Sequence, residues 1–444
     1  MIEQEQKGTN WVAVITMMFI YGMISFVTNL AAPMGNVWKY QPGIEGSNML
    51  GMMGNMMNFL AYLFMGIPAG KMLTKCGYKK TAMIGIATGF VGVLIQFLSG
   101  KVPGSAESMV GPFCVYLFGA FVCGFAVCML NMVVNPMLNL LGGGGNRGNQ
   151  LNMIGTTFNS LCGTATPMLV GALIGQVTAS TKVADVNLVM YIAMSVFAAA
   201  FMILSFIPIA NPEQGSTTED IPVFAPLKFR HCLLGVIGIF MYVGIEIGIP
   251  ATLNLWLAAK DGPLMTSGNA DVVKSAATIA GMVAGTYWFL MLIGRTVGAF
   301  IGGKISSRAL MSFTTFTAIV LIVVGTMTTS VSAKMPVFTG SGFQMVTVPL
   351  TALLFALCGL MTSIMWPSTF NLATEKLGKY TAAASGLFMV MVVGGGVLPL
   401  VQNGIADKYG YMVSYAVPAI ALAYLFVYSA FLSKPPADID EQVK

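Results

Sequence analysis

Charged side chains are scarce in this sequence. Asp, Glu, Lys and Arg make up 9% of the 444 residues, and 56% of the residues are hydrophobic. A soluble globular domain carries about 25% charged residues, so this composition excludes an ordinary water-exposed surface. The composition favours a chain that faces lipid, and its length allows roughly twelve spans of about 20 apolar residues each.

Residues that bind metals or perform catalysis are also sparse. The chain has a single His, and its seven Cys are scattered without a Cys-x-x-Cys pair, so neither a metal cluster nor a disulfide framework is predicted. No nucleophile–base set appears, and the predicted loops are short. The net charge of +6 is explained by basic residues at span ends. We therefore expect no enzymatic activity, no cofactor and no nucleic-acid partner.

Apolar runs between polar breaks predict an all-α polytopic membrane protein with twelve transmembrane helices. The predicted spans are 11–37, 47–72, 80–100, 110–141, 150–177, 186–209, 230–258, 273–303, 310–330, 347–373, 382–406 and 411–432. The polar stretch 211–229 predicts a cytoplasmic linker. It separates an N-terminal six-helix half, 1–210, from a C-terminal half, 230–444, that ends in a short cytoplasmic tail.

The distribution of Lys and Arg predicts the orientation of the chain. With the N-terminus in the cytoplasm, basic residues favour the cytoplasmic segments by about two to one, as the positive-inside rule requires. This distribution supports an even number of spans with both termini in the cytoplasm. We expect a multi-pass protein of the bacterial inner (plasma) membrane.

Matching features in the two predicted halves indicate an internal duplication. Three pairs lie 231 or 232 residues apart: Gly70 and Gly302, Pro136 and Pro367, and Pro167 and Pro399. One shared offset close to half the chain length predicts two pseudo-symmetric six-helix units. Parallel repeats of this kind are the architecture of major facilitator transporters.

Two charged residues lie well inside predicted spans: Glu246 in the seventh and Arg295 in the eighth. Ionisable groups inside a membrane are costly, so they mark a functional site or a structural pair. In one interpretation Glu246 faces a central cavity and binds solute or a coupling cation. In the other, Glu246 and Arg295 form a pair that only locks two helices together.

Amide side chains cluster in the middle of the predicted spans. They are Asn29, Asn131, Asn135, Asn159, Asn254, Gln402 and Asn403. An amide both donates and accepts hydrogen bonds, which suits a solute rich in hydroxyl groups. Interhelical hydrogen bonding is the alternative role for each of them. Trp366, beside Pro367 in mid-span, is a candidate to stack on a sugar ring or to pack.

The loop between the second and third spans resembles a signature of the major facilitator superfamily. The matching residues, which we interpret as a gating loop, are Gly70, Lys71, Gly77, Lys79 and Lys80. The acidic position of that signature is occupied by Thr74.

Several longer segments resemble the fucose/glucose–galactose family of sugar:cation symporters within this superfamily. The segments are Val134–Gly142, Leu151–Ser160, Tyr242–Glu246, Ile293–Gly298, Ser363–Pro367, Ala384–Leu387 and Gly394–Gln402. The resemblance covers nearly the whole chain. It implies a twelve-helix monomer that takes up sugar by alternating access.

The sequence departs from the fucose members of that family at two positions. Those members have a carboxylate four residues before a Pro in the first helix, and another in the fourth; here the positions hold Asn29 and Asn131. Glu246 is then the one acidic candidate left deep in the membrane. Asn159 matches a sugar-site Asn of the family, and Trp366 falls where the family has an aromatic residue at the sugar.

The sequence therefore predicts a sugar:cation symporter. Sugar hydroxyls would bond Asn29, Asn131, Asn159 and Gln402, Trp366 would stack on the ring, and Glu246 would hold H⁺ or Na⁺. Direct pairing with Arg295 would argue against a proton, because a nearby cation favours the ionised carboxylate. An uncoupled sugar facilitator, an exporter of another small solute and a sugar-sensing receptor remain alternatives, and the identity of the sugar stays open.

Overall fold

The computed structural model describes residues 11–104, 108–141, 145–174, 181–207, 222–301, 305–338, 343–377 and 380–436. The described part is almost entirely helical. Its α-helices are α1 Trp11–Asn29, α2 Ala31–Trp38, α3 Asn48–Gly51, α4 Met53–Ser99, α5 Val110–Leu141, α6 Gly145–Ile174, α7 Asn187–Phe206, α8 Arg230–Leu257, α9 Ala270–Lys274, α10 Ala276–Ile301, α11 Ser307–Met327, α12 Leu350–Thr362, α13 Met365–Thr374, α14 Thr381–Met391, α15 Gly394–Tyr409, α16 Tyr411–Ser414 and α17 Ala416–Val427.

These helices account for the predicted spans. Among the described residues, eleven helical stretches are long and apolar enough to cross a membrane. The predicted fifth span corresponds to α6, a 30-residue helix with many polar side chains. Helices satisfy their own backbone hydrogen bonds, which is why apolar runs of this length fold as helices in lipid. The prediction of a multi-pass all-α membrane protein is confirmed.

The predicted second and third spans form one continuous element, α4, with a sharp turn at Gly77. The backbone of Gly77 has φ +78° and ψ 172°, a conformation that is essentially restricted to glycine. The turn reverses the chain between two spans without a longer loop. This explains the glycine in the middle of the predicted gating loop.

A β-hairpin between α11 and α12 was not predicted. Its strands are β1 Ser332–Phe338 and β2 Phe343–Pro349, and they pair antiparallel. The prediction had placed the last residues of β2 in the tenth span. Met335 and Val337 are buried, whereas Lys334 and Pro336 are exposed. The hairpin packs against α10 and α12.

Because successive spans run in opposite directions, the segments that connect them lie on two opposite faces of the helical bundle. The distal face carries segments 39–47, 258–269 and 328–349, and the proximal face carries the turn at Gly77 and segments 222–229 and 433–436. Of the predicted linker, 211–221 lies outside the described residues. Ala225–Lys228 forms a short 3₁₀ turn that leads into α8.

Helices from the two predicted halves meet along two lines of contact. α6 packs against α10 on one line, and α4 packs against α14 and α15 on the other. Within the N-terminal half α4 packs against α5, and within the C-terminal half α8 packs against α15. Side chains that face the boundary between these helices are the ones that can reach both halves at once.

Candidate solute-binding cavity

In the first helix of each half, a proline removes one helical hydrogen bond at a polar residue. The first span is divided into α1 and α2 at Leu30, and Pro33 has no N–H for the carbonyl of Asn29, four residues earlier. In α8, Pro250 leaves the carbonyl of Glu246 without its helical donor in the same way. Both halves therefore place a polar side chain beside a weakened helical turn, which is where backbone groups become available to a solute.

A cavity opens next to these interrupted turns. It is small in this conformation, and it is lined by Thr28, Asn29, Pro33, Asn55, Ile247, Pro250, Ala251, Asn254, Ala284 and Trp288. The lining combines α1, α2 and α4 of one half with α8 and α10 of the other. Three amides and an indole ring in one apolar pocket form a site of the kind that orients a small polar ligand.

Asn29 is the predicted site residue that lines this cavity. Its Nδ2 donates to the carbonyl of Ser25 at 2.9 Å and lies 3.3 Å from Ser25 Oγ. The neighbouring helix comes very close, because a Cβ at Gly163 would stand 2.9 Å from Ser25 Oγ and 3.3 Å from Trp288 Cδ2. A glycine at 163 therefore lets α6 pack closely against Ser25 and Trp288 at this wall of the cavity.

Glu246 and Arg295 form an ion pair. Arg295 Nη2 lies 3.3 Å from Glu246 Oε1, and the two side chains are 20% and 15% exposed. Arg295 Nη1 also donates to Ser160 Oγ at 2.8 Å and to the carbonyl of Thr156 at 3.2 Å, both on α6. The guanidinium group therefore joins a carboxylate of the C-terminal half to the N-terminal half.

Asn131 and Asn159 do not line the cavity; they make hydrogen bonds inside the N-terminal half. Asn131 Nδ2 donates to Tyr62 OH at 2.7 Å, and Asn159 Nδ2 donates to the carbonyl of Tyr21 at 2.9 Å. Both side chains are half-buried. These bonds fit the interhelical role.

Trp366 and Gln402 belong to the C-terminal half, away from the cavity lining. The ring of Trp366 packs at 6.0 Å against that of Tyr242, with a 58° angle between the ring planes. Gln402 is 1% exposed and packs against Gly248 on α8. Among the described residues its Nε2 has no hydrogen-bond partner. The conformation in the structure thus does not bring these two residues to Asn29.

The residues of the predicted gating loop surround the turn at Gly77. Lys79 Nζ donates to the carbonyls of Ser205 and Ile207 at 2.9 and 2.8 Å, at the end of α7. Lys71 and Lys80 are exposed, and Gly70 is half-buried in α4. Lys79 thus ties the turn to the sixth span, which adds a structural role to the one that the resemblance implies.

Sequence reasoning missed two residues that the cavity brings together. Asn55 donates from Nδ2 to the carbonyl of Gly395 at 2.7 Å, across the boundary between the halves. Trp288 is 5% exposed and forms one wall. The sequence gives no signal for Trp288, because an aromatic residue in an apolar run is ordinary in a span. Asn254 was visible as a member of the amide cluster but was not singled out as a binding residue.

Comparisons with known proteins agree with this architecture. No protein-family model matches the chain. Over 439 residues the chain is 26% identical to the glucose/galactose transporter of Brucella abortus, covering 97% of this chain and 96% of that protein. Over 409 residues it is 22% identical to the L-fucose-proton symporter of Escherichia coli, covering 85% and 83% respectively.

The fold also matches a solved transporter. A crystal structure of the fucose transporter in an outward conformation, described as a major facilitator superfamily transporter, aligns with a TM-score of 0.64 at 17% sequence identity. The alignment covers 95% of this chain and 98% of that structure. The resemblance to the fucose and glucose–galactose transporters is therefore confirmed, and the chain has the fold of a major facilitator transporter.

Proposed function

We propose that this chain is a secondary transporter that takes up a sugar by alternating access. The observation that carries the proposal is the cavity between the halves, where Asn29, Asn55 and Asn254 meet Trp288. Amides match the hydroxyl groups of a sugar, and an indole ring suits its apolar face. Relatives with matching length are named for glucose, galactose and L-fucose.

The orientation follows from the basic residues. The proximal face, which carries most Lys and Arg, is the cytoplasmic one, and the distal face is outside. Both termini then lie in the cytoplasm, in a bacterial inner membrane. In this proposal the protein acts as a monomer, as its resemblance to the family implies, and it needs no cofactor.

Sugar uptake is coupled to Na⁺ in this proposal. A neighbouring cation favours the charged form of a carboxylate, and in this proposal the contact of Arg295 with Glu246 is what supports Na⁺ over a proton. When Glu246 binds Na⁺ instead of Arg295, the guanidinium group still has its hydrogen-bond acceptors on α6. The ion pair can therefore open without leaving Arg295 unpaired. Asn29 and Asn131, which stand where the fucose members have carboxylates, carry no exchangeable charge.

Uncoupled facilitation is the second candidate, and the same two amides favour it. An exporter of hydrophobic compounds is disfavoured, because such a solute calls for an apolar cavity and three amides line this one. The three amides serve uptake of a hydrophilic solute in both remaining candidates.

Proteoliposomes with a panel of labelled solutes test the proposal. The panel is D-glucose, D-galactose, L-fucose and uridine, each with an imposed Na⁺ gradient, an imposed H⁺ gradient, or neither. We expect one of the sugars to accumulate under the Na⁺ gradient alone. Equilibration without accumulation would indicate the facilitator, and accumulation under the H⁺ gradient would contradict the role given to the Glu246–Arg295 pair. Transport of uridine alone would overturn the sugar assignment.

A further inference from the structure

On the distal face, one carboxylate of the C-terminal half binds three donors of the N-terminal half. Asp407, near the end of α15, has Oδ1 at 2.6 Å from the backbone N of Asn48. Its Oδ2 lies 2.8 Å from Ser47 Oγ and 2.8 Å from the backbone N of Met49. Hydrogen bonds to an ionised carboxylate are roughly twice as strong as those between neutral groups. Asp407 is therefore a strong link between the halves.

A second set of polar contacts lies beside this link. Tyr411 OH donates to Asn48 Oδ1 at 2.7 Å, and Lys39 Nζ donates to the same oxygen at 3.0 Å. Lys39 and Asn48 are buried, at 7% and 6% exposure. Tyr411 belongs to the C-terminal half, so Asn48 receives donors from both halves at one atom.

A third contact leads from this cluster down to the cavity. Asn36 Nδ2 donates to Asn254 Oδ1 at 2.6 Å, and both residues are buried. Asn254 lines the cavity, and Asn36 lies on α2 directly before the distal loop. The contacts of Asp407, Tyr411 and Asn254 thus join the two halves at three places on the distal side of the cavity, and we call this set of contacts the distal gate.

We propose that Asp407 is the latch of the distal gate: its carboxylate holds Ser47, Asn48 and Met49 while the cavity is closed to the outside, and it must release them for solute to enter. The proposal rests on the alternating access assigned above but not on the identity of the solute. Asp407 is exposed at the rim, so water replaces its partners on release. A link that is strong when made and hydrated when broken suits a reversible gate.

Distance measurements between spin labels on the two halves test the latch. Glu45→Cys and Ala270→Cys place labels on exposed residues of opposite halves, in a protein whose two exposed native cysteines, Cys76 and Cys114, are replaced by Ser. The wild-type gate should give a short label-to-label distance. Asp407→Asn should raise the ratio of long-distance to short-distance populations about tenfold, as expected when charged hydrogen bonds are weakened.

The matched control is Asp185→Asn. Asp185 is an exposed carboxylate of the same face, and it accepts from the backbone N of Lys182 within its own loop. Its substitution should leave the distances unchanged. The latch is refuted if Asp407→Asn keeps the wild-type distances, or if Asp185→Asn shifts them equally.

A second variant covers the case in which Asp407→Asn does not fold. Ser47→Ala removes one of the three donors and should produce a smaller shift in the same direction, whereas unchanged distances would count against the latch. The measurement is made without sugar, so failure of the sugar proposal would leave its outcome intact. Conversely, unchanged distances in Asp407→Asn would refute the latch without deciding whether the protein takes up sugar.

Discussion

Arg295 Nη2 lies 3.3 Å from Glu246 Oε1, and this contact pairs the two charged residues that the sequence places deep in the C-terminal half. Both remain partly exposed beside the boundary between the halves. Arg295 has further acceptors at Ser160 and Thr156, but Glu246 has a single cationic partner among the described residues. Substituting the carboxylate therefore tests the coupling role more directly than substituting the arginine.

Glu246→Gln should abolish gradient-driven accumulation of the transported sugar while exchange across the membrane survives. The amide keeps the size of the side chain but removes the charge that attracts Na⁺. Accumulation ratios in proteoliposomes should fall to about one, and counterflow of labelled sugar should persist.

Glu375→Gln is the control for this substitution. Glu375 pairs with Arg308 in the same half, near the proximal face and away from the cavity lining. Accumulation should survive in Glu375→Gln. Unchanged accumulation in Glu246→Gln would remove Glu246 from the coupling mechanism.

Asn29→Ala should weaken solute binding. The amide lines the cavity, and removing a polar group that bonds a buried hydroxyl costs about 1–3 kcal/mol, or roughly five- to 150-fold in affinity. We expect KM for sugar uptake to rise with little change in the amount of folded protein. Asn403→Ala is the comparison, because Asn403 is fully buried and bonds Thr252 instead of lining the cavity. It should lower thermal stability rather than affinity.

Gly77→Ala should destabilise the protein. The backbone at Gly77 lies in a region that a residue with a Cβ avoids, at a cost of about 1–3 kcal/mol. The melting temperature in detergent should fall by several degrees. Gly386→Ala should instead preserve or raise it, because Gly386 is helical, has open space around it and gains helix propensity from the added methyl group. Equal melting temperatures for the two variants would contradict the strain at Gly77.

Raising the pH should favour closure of the distal gate. Burial lowers the pKa of Lys39 to about 8 from its ordinary value of 10.5, with Asp407 and Asp261 opposing the shift and Lys260 adding to it. The closed gate then prefers the neutral amine, so closure releases a proton between these two values and is promoted as pH rises through this window. Below pH 8 the amine is charged in both states, and the dependence fades.

Spin-label distances at pH 7.5 and pH 9 measure this effect. The closed population should increase relative to the open one by roughly eightfold if the open-state pKa is ordinary. The hydroxyls of Tyr40 and Tyr411 also face this region, so Lys39→Met is the necessary control. The pH dependence should be lost in that variant, and its persistence would assign the titration to another group.

The helices were predictable because apolar runs of span length have few alternatives in lipid. The hairpin was missed although β1 alternates exposed Lys334 and Pro336 with buried Met335 and Val337, a period of two that favours a strand. Its residues are also apolar enough to extend a neighbouring span, so the length of the apolar run alone assigns 347–349 to the tenth span. The two-residue alternation of buried and exposed side chains in β1 is the signal that distinguishes a strand from the end of a span.

The site was less predictable than the fold for a different reason. The chemistry of Asn29, Glu246 and Arg295 could be read from polar residues in apolar runs. The contact between Asp407 and Ser47 joins residues 360 positions apart, and nothing in their local sequence indicates it. Such pairs depend on how the two halves are docked, which local patterns do not encode.

The break at Leu30 has a mechanical consequence. It leaves α2 as a separate helix of eight residues, about 12 Å long at 1.5 Å per residue, joined to α1 by an interrupted turn. Asn36 on α2 carries a gate contact, so in the proposed cycle α2 would move with the gate while α1 stays packed against α6. The helical hydrogen bond that Pro33 removes would make this joint the place where such a movement bends the first span.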